Sequence, residues 1–188
     1  MADKPLDGHR VLALVTNYGV EQDELLVPLN RLRADGADVT VAAATADPVQ
    51  TLVGDKDPGE TVQPDATFDV VDTDNHQLLL LPGGTLNADQ LRLDDKALAI
   101  VKAFVDTGRP VAAICHGPWA LVEADAVRGK TLTSYASLRT DIRNAGAASW
   151  VDEPVVIDAA GGYPLITSRT PKDLDAFLDA IDKALIGS

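Results

Sequence analysis

Apolar and polar positions alternate along this chain in blocks that switch between two periods. Arg10–Thr16 is an almost uncharged run (Arg-Val-Leu-Ala-Leu-Val-Thr), the pattern of a strand buried on both faces. After the loop Asn17–Val20, Leu25, Leu26, Leu29 and Leu32 recur at helical spacing between Glu21 and Asp35, and Gly36 is a fitting stop. Asp38–Ala44 reads as a second strand. Strand, helix and strand over about 30 residues predict a parallel pair with a right-handed crossover.

Asp47–Pro64 is rich in Asp, Gly and Pro and reads as an irregular or hairpin excursion, with short strand or loop pieces at Thr61–Gln63 and Ala66–Val70. Gln77–Leu81 is a strand ending in Pro82-Gly83-Gly84. Helical character resumes over Asp89–Arg92 and Asp95–Asp106. The uncharged run from Pro110 to Ile114 is the next strand, followed by a helix from Pro118 to about Glu123. Further on come a short strand at Thr131–Ser134, a helix at Leu138–Asn144, and extended pieces at Ala147–Trp150 and Val155–Ile157. Gly161-Gly162 marks a turn, and Leu165–Ser168 is another strand. Pro171–Ile186 is an amphipathic helix, with Thr170 as its cap and Pro171 in its first turn. This alternation predicts one α/β domain over residues 1–188, a three-layer sandwich around a mostly parallel sheet.

Composition narrows the function classes. Hydrophobic residues make up 46% of the 188 and aromatics 4%, so the core is aliphatic. The formal net charge is −13, spread along the chain, which disfavours nucleic acid and anionic membranes as partners. A single cysteine allows no internal disulfide, and no ligand spacing suggests a metal site. The start, Met1-Ala2-Asp3-Lys4-Pro5, lacks the apolar stretch of a signal peptide, and no run approaches the roughly 20 apolar residues of a membrane span. A reducing cytoplasm is the expected setting.

Chemistry is expected outside the carboxyl ends of the parallel strands. The first strand delivers Asn17, Tyr18 and Glu21; the third delivers Gly83, Gly84 and Asn87; the next delivers Cys115 and His116. Cys115-His116-Gly117-Pro118 predicts a tight strand-to-helix corner, the geometry of a nucleophile elbow built on a thiol. A helix N-terminus facing the sulfur is expected to draw the thiol below its free value of about 8.5. A lone buried cysteine is otherwise a small hydrophobe. His9 and His76 precede strands and fall at the opposite end of the sheet, so His116 is the candidate general base. Glu21 is either a solvated first-turn carboxylate or a partly buried acid that stays protonated and donates to the sulfur. Gly83-Gly84 is either a turn or a close backbone approach with oxyanion-hole N–H groups.

Ala113–Pro118, Leu81-Pro82-Gly83-Gly84 and the helix start Glu21-x-x-Glu24-Leu25-x-x-Pro28 together resemble the PfpI family of intracellular cysteine proteases. That family lies within the superfamily of Parkinson-disease-associated deglycases and class I glutamine amidotransferase-like proteins. Thr133-Ser134-Tyr135, Asp141-x-x-Asn144-Ala145-Gly146, Trp150-Val151-Asp152 and Thr167-Ser168-Arg169-x-Pro171-x-Asp173-Leu174 extend the resemblance over nearly the whole chain. It implies a flavodoxin-like sandwich with Cys115 as nucleophile, His116 beside it, Glu21 against the sulfur, and the Gly84 and His116 amides as oxyanion hole. It further implies a homodimer or larger homo-oligomer, with an acid from a neighbouring subunit completing a triad. Asp89 stands near that place, shorter than the family's glutamate and offset by a one-residue insertion in Thr85–Ala88.

The expected activity is cysteine-dependent hydrolysis of a small reactive carbonyl, glyoxalase- or deglycase-like, or of a peptide amide, with no metal or organic cofactor. The rivals are a redox sensor acting through oxidation of Cys115 and a chaperone-like stress protein.

Overall fold

Residues 4–187 are described by the structure, a computed structural model. Met1–Asp3, the start of the segment read as lacking a leader, lie outside the described residues. In chain order the elements are β1 (Arg10–Leu14), β2 (Tyr18–Glu21), α1 (Gln22–Ala34), β3 (Asp38–Ala43), β4 (Val49–Val53), β5 (Asp57–Val62) and β6 (Ala66–Thr67). There follow β7 (Leu78–Leu81), α2 (Thr85–Leu91), α3 (Asp95–Asp106), β8 (Val111–Ile114), α4 (Pro118–Glu123) and β9 (Thr131–Leu132). The chain continues with α5 (Arg139–Asn144), β10 (Ser149–Trp150), β11 (Val155–Asp158), β12 (Leu165–Ser168) and α6 (Leu174–Ile186).

Seven strands form the central sheet in the order β11-β12-β8-β7-β1-β3-β6. All its pairs are parallel except β11 with β12. The strand order reverses between β1 and β7, so their carboxyl ends open a crevice of the kind that takes ligands in open α/β sheets. Because successive side chains point to opposite faces, each central strand feeds two cores. Val11, Ala13, Leu78, Leu80, Ala112 and Ile114 pack with α1 and α6. Leu12, Leu14, Leu79, Leu81, Val111 and Ala113 pack with α3 and α4 on the other side. This is the α/β sandwich expected from the alternating pattern, in the flavodoxin-like form that the family resemblance implies.

The differences from the sequence reading lie around the site. Asn17–Val20 is not simply a loop: Tyr18–Glu21 pairs with β4, which pairs in turn with β5. The Asp/Gly/Pro-rich excursion is therefore a hairpin whose tip, Gly54-Asp55, returns to the sheet edge. The helix expected from Asp89 begins four residues earlier, at Thr85. Gly84, at φ +82°, turns the chain out of β7 directly, and the buried Asn87 ties the turn to β1 by accepting from the Thr16 N–H at 2.7 Å. The last helix opens with a 3-10 turn at Pro171–Asp173 before α6. Among the described residues no helix is long and apolar enough to cross a membrane.

Candidate functional site

Cys115 follows β8 directly and sits at φ +61°, in the left-handed region that a side-chain-bearing residue enters only when its surroundings hold it there. Those surroundings are backbone bonds. The Cys115 N–H donates to Ser168 O at 3.1 Å, the Tyr135 N–H donates to Cys115 O at 2.9 Å, and the Gly117 N–H closes the turn onto Ile114 O at 2.8 Å. The expected elbow is present, with Pro118 opening α4. The strained φ swings the sulfur back over its own successor, and Cys115 Sγ lies 3.2 Å from His116 Nδ1.

The carboxyl group at the sulfur is that of Glu24, not Glu21. Glu24 is fully buried on the apolar stripe of α1, with Leu25, Pro28, Leu29 and Leu32. Its Oε2 accepts from the Gly83 N–H at 2.7 Å, while Oε1 is buried without a partner that meets hydrogen-bond geometry. Burial pushes Glu24 up to about 8, and the thiol is its neighbour. Glu21 instead spends both carboxylate oxygens on the hairpin tip, accepting from the N–H groups of Gly54 and Asp55 at 3.0 Å each. As the last residue of β2 and the cap position of α1, Glu21 faces the hairpin. Glu24, one helical turn on, faces β7 and β8.

Gly83 is where the three segments meet. A Cβ there would lie 2.5 Å from Glu24 Oε2, 2.8 Å from His116 N and 2.9 Å from Cys115 Cβ. Only glycine allows this approach.

Burial also pushes the Cys115 thiol up, and an ionised Glu24 beside it adds to that. The expectation of a thiol drawn down by a helix N-terminus is therefore corrected. Helix α4 has only six residues, and the opposing effect is desolvation of the sulfur and of the acid next to it. The His116 backbone N–H beside the sulfur acts in the lowering direction. Burial lowers the His116 imidazole below its ordinary value, favouring the neutral ring.

Around His116 stand residues the sequence reading did not single out. Tyr135 stacks on the ring at 4.8 Å between centroids, and Trp119 tilts against it at 5.2 Å. Thr85 Oγ1 and Ser137 Oγ lie 3.4 and 3.3 Å from His116 Nε2. The thiol, both glutamates and His116 line a cavity of about 320 Å³, together with Gly54, Asp55, Thr85, Tyr135, Thr170 and Pro171. Lysine and arginine are missing from that lining. Gly84, next to Thr85 in the chain, is buried and Asp89 is exposed on α2, and neither lines the cavity. Asn17 is likewise elsewhere, bracing the turn at Thr45–Asp47. His76, bonded to Asp72 O and Thr40 Oγ1, lies at the opposite end of the sheet as expected. Among the described residues no cluster of His, Cys, Asp or Glu is arranged to hold a metal ion.

An open parallel sheet carrying a cysteine on a left-handed strand-to-helix corner, with a histidine and a buried acid against the sulfur, defines the class of cysteine-elbow α/β proteins. Within that class the chain belongs to the DJ-1/PfpI family, which matches residues 9–184. It is 40% identical over 167 residues to a deglycase of Thermococcus kodakarensis, covering 89% of this chain and 94% of that one. It is 39% identical over 166 residues to general stress protein 18 of Bacillus subtilis, covering 88% and 92%. Among solved structures, Drosophila melanogaster DJ-1beta superposes with a TM-score of 0.83 at 28% identity, covering 96% of this chain and 91% of that one.

Proposed function

We propose that this protein is a stress-response hydrolase of the PfpI type that removes reactive-carbonyl adducts, a deglycase, with Cys115 as its nucleophile. The observation that carries the reading is the pairing of Cys115 Sγ with His116 Nδ1 at 3.2 Å, beside a buried Glu24 and open to a cavity. The relatives named as a deglycase and a general stress protein support the same reading.

In this reading His116 takes the thiol proton and the sulfur attacks the carbonyl carbon. A carbon–sulfur bond forms, and the carbonyl electron pair moves onto oxygen. Gly84 and His116 N–H groups are the candidate donors to that oxyanion. Glu24, pushed up to about 8, holds its proton at neutral pH and so stands beside the sulfur as a neutral acid. A buried charge of like sign would otherwise oppose the thiolate. The 320 Å³ cavity suits a small carbonyl adduct better than an extended peptide, so peptidase activity ranks second. A reducing cytoplasm and a homo-oligomer belong to the proposal as well.

The test is turnover of methylglyoxal, glycated amino acids and peptide amides by the wild type and Cys115→Ala. Turnover of the first two, abolished by the substitution, is the expected result. Turnover that survives Cys115→Ala, or none at all while peroxide adds oxygen stoichiometrically to Cys115, would replace the enzyme reading with a sensor or a scaffold.

A further inference from the structure

The hairpin tip between β4 and β5 is some sixty residues from Cys115 in sequence, yet it lines the same cavity. Gly54 and Asp55 both take left-handed backbone, φ +64° and +57°, and the Lys56 N–H closes the turn onto Val53 O at 3.4 Å. Glu21 grips the tip through both of their N–H groups. So held, the Asp55 carboxylate receives the Thr85 N–H and the Thr85 hydroxyl, each at 2.7 Å.

A threonine hydroxyl has one proton to give, and here it goes to Asp55 Oδ2. Toward its other neighbours Thr85 Oγ1 is therefore an acceptor. The neighbour it faces is His116 Nε2, at 3.4 Å. An imidazole nitrogen opposite an acceptor carries the hydrogen, and in the neutral ring that leaves Nδ1 bare. Nδ1 is the nitrogen 3.2 Å from Cys115 Sγ. The opposite tautomer sets lone pair against lone pair at Thr85 and offers the thiol no acceptor on the ring. Ser137 Oγ, 3.3 Å from Nε2, has a free rotor and suits either tautomer.

We propose that Asp55, acting through the Thr85 hydroxyl, is a positioning residue that holds His116 as the Nε2–H tautomer and so makes Nδ1 the base for the Cys115 thiol. The inference rests on the reading of Cys115 as the nucleophile. In the step itself the S–H bond breaks and an Nδ1–H bond forms, giving thiolate and imidazolium with no further reactant. The groups facing the ring are Cys115, Thr85 backed by Asp55, Ser137, and the stacked Tyr135 and Trp119. Before the proton moves, the negative charge among them that favours the imidazolium is that of Asp55. A carboxylate of the same chain thereby takes the supporting place that the family resemblance offered to Asp89 of a neighbouring subunit.

The experiment uses the full chain and two readouts that need no substrate. One is ¹⁵N NMR of the His116 ring; the other is the pH profile of Cys115 alkylation by iodoacetamide, with Cys115→Ala as blank. The wild type is expected to show Nε2–H. Thr85→Val keeps the side-chain shape and the backbone bond to Asp55, so it isolates the hydroxyl. Thr85→Val is expected to slow alkylation at neutral pH about tenfold, part of the roughly 10²–10⁴ a positioned base supplies, and to move the profile to higher pH, and Thr85→Ser should restore it. Asp55→Asn also removes a charge that opposes the thiolate, so it is read by NMR, where the ring is expected to lose its Nε2–H preference. Nδ1–H in the wild type, an unchanged profile in folded Thr85→Val, or an unchanged ring tautomer in folded Asp55→Asn, overturns the inference. A wild type and variants that alkylate as expected but turn over no carbonyl would uphold it while removing the proposed activity.

Discussion

Glu24 accepts the Gly83 N–H on one carboxyl oxygen and leaves the other, Oε1, buried without a partner, in a carboxyl group that neighbours the Cys115 thiol. A carboxylate cannot stay ionised in such a place without cost, because burial removes the water that stabilises its charge. The proton it keeps is the one available to the sulfur.

This predicts a pH dependence of stability with a definite sign. The folded-state value of Glu24 is raised from 4.5 to about 8. Its contribution is therefore fully present below the unfolded value near 4.5 and is lost as pH rises through about 8. Melting curves of wild type and Glu24→Gln across that window should converge in shape at low pH and diverge at high pH. The wild type is expected to lose on the order of a few kcal/mol more than the variant. Parallel curves for the two proteins would mean that Glu24 is ionised throughout.

Gly83→Ala should damage the site from its centre. The added methyl meets Glu24 Oε2, His116 N and Cys115 Cβ, and two of those three are fixed by backbone. A stability loss of about 1–3 kcal/mol is expected, as for overpacking elsewhere. Cys115 alkylation should fall with it, because either the elbow or Glu24 must move. Unchanged melting and alkylation would show that the elbow yields freely.

Lys130 offers a contrast far from the chemistry. Its ammonium is buried, donates to Asp158 O at 3.3 Å and to Ala160 O and Tyr163 O, and lies over the Tyr163 ring. Lys130→Met strands these carbonyls at about 1–3 kcal/mol for each buried one. Calorimetry should record a lower melting temperature, while the alkylation profile of Cys115 stays as in the wild type. A shifted profile would tie the β11–β12 connection to the site.

Tyr135 covers the His116 ring from a half-exposed position. Tyr135→Phe keeps the stack and should leave the kcat/KM of carbonyl turnover within about twofold, whereas Tyr135→Ala frees the ring and should lower it by about tenfold, near the 1 kcal/mol scale of an aromatic pair. Equal kcat/KM for the two variants would show that the stack does not position His116.

The two periods of the hydrophobic pattern were enough to locate most elements. The even and odd positions of Arg10–Leu14, Leu78–Leu81 and Val111–Ile114 do divide between two cores, as strands buried on both faces require. The elbow was legible because its signals are local: an uncharged strand, then Cys-His-Gly-Pro. Glu24 left a fainter sign, a charged residue on the same helical stripe as Leu25, Pro28 and Leu32, where a solvated acid does not belong. The choice between Glu21 and Glu24 turned on the hairpin, whose Gly54 and Asp55 amides claim the former.

From the residues in their order came the layered α/β architecture, the elbow at Cys115 and the family, because strand and helix periods and turn chemistry act between near neighbours. Only the folded chain decided which carboxyl meets the sulfur, how burial shifts the ionisation of both, and that Asp55 and Thr85 back His116. Those relationships join residues thirty to ninety positions apart, and desolvation depends on everything packed around a group rather than on what precedes and follows it.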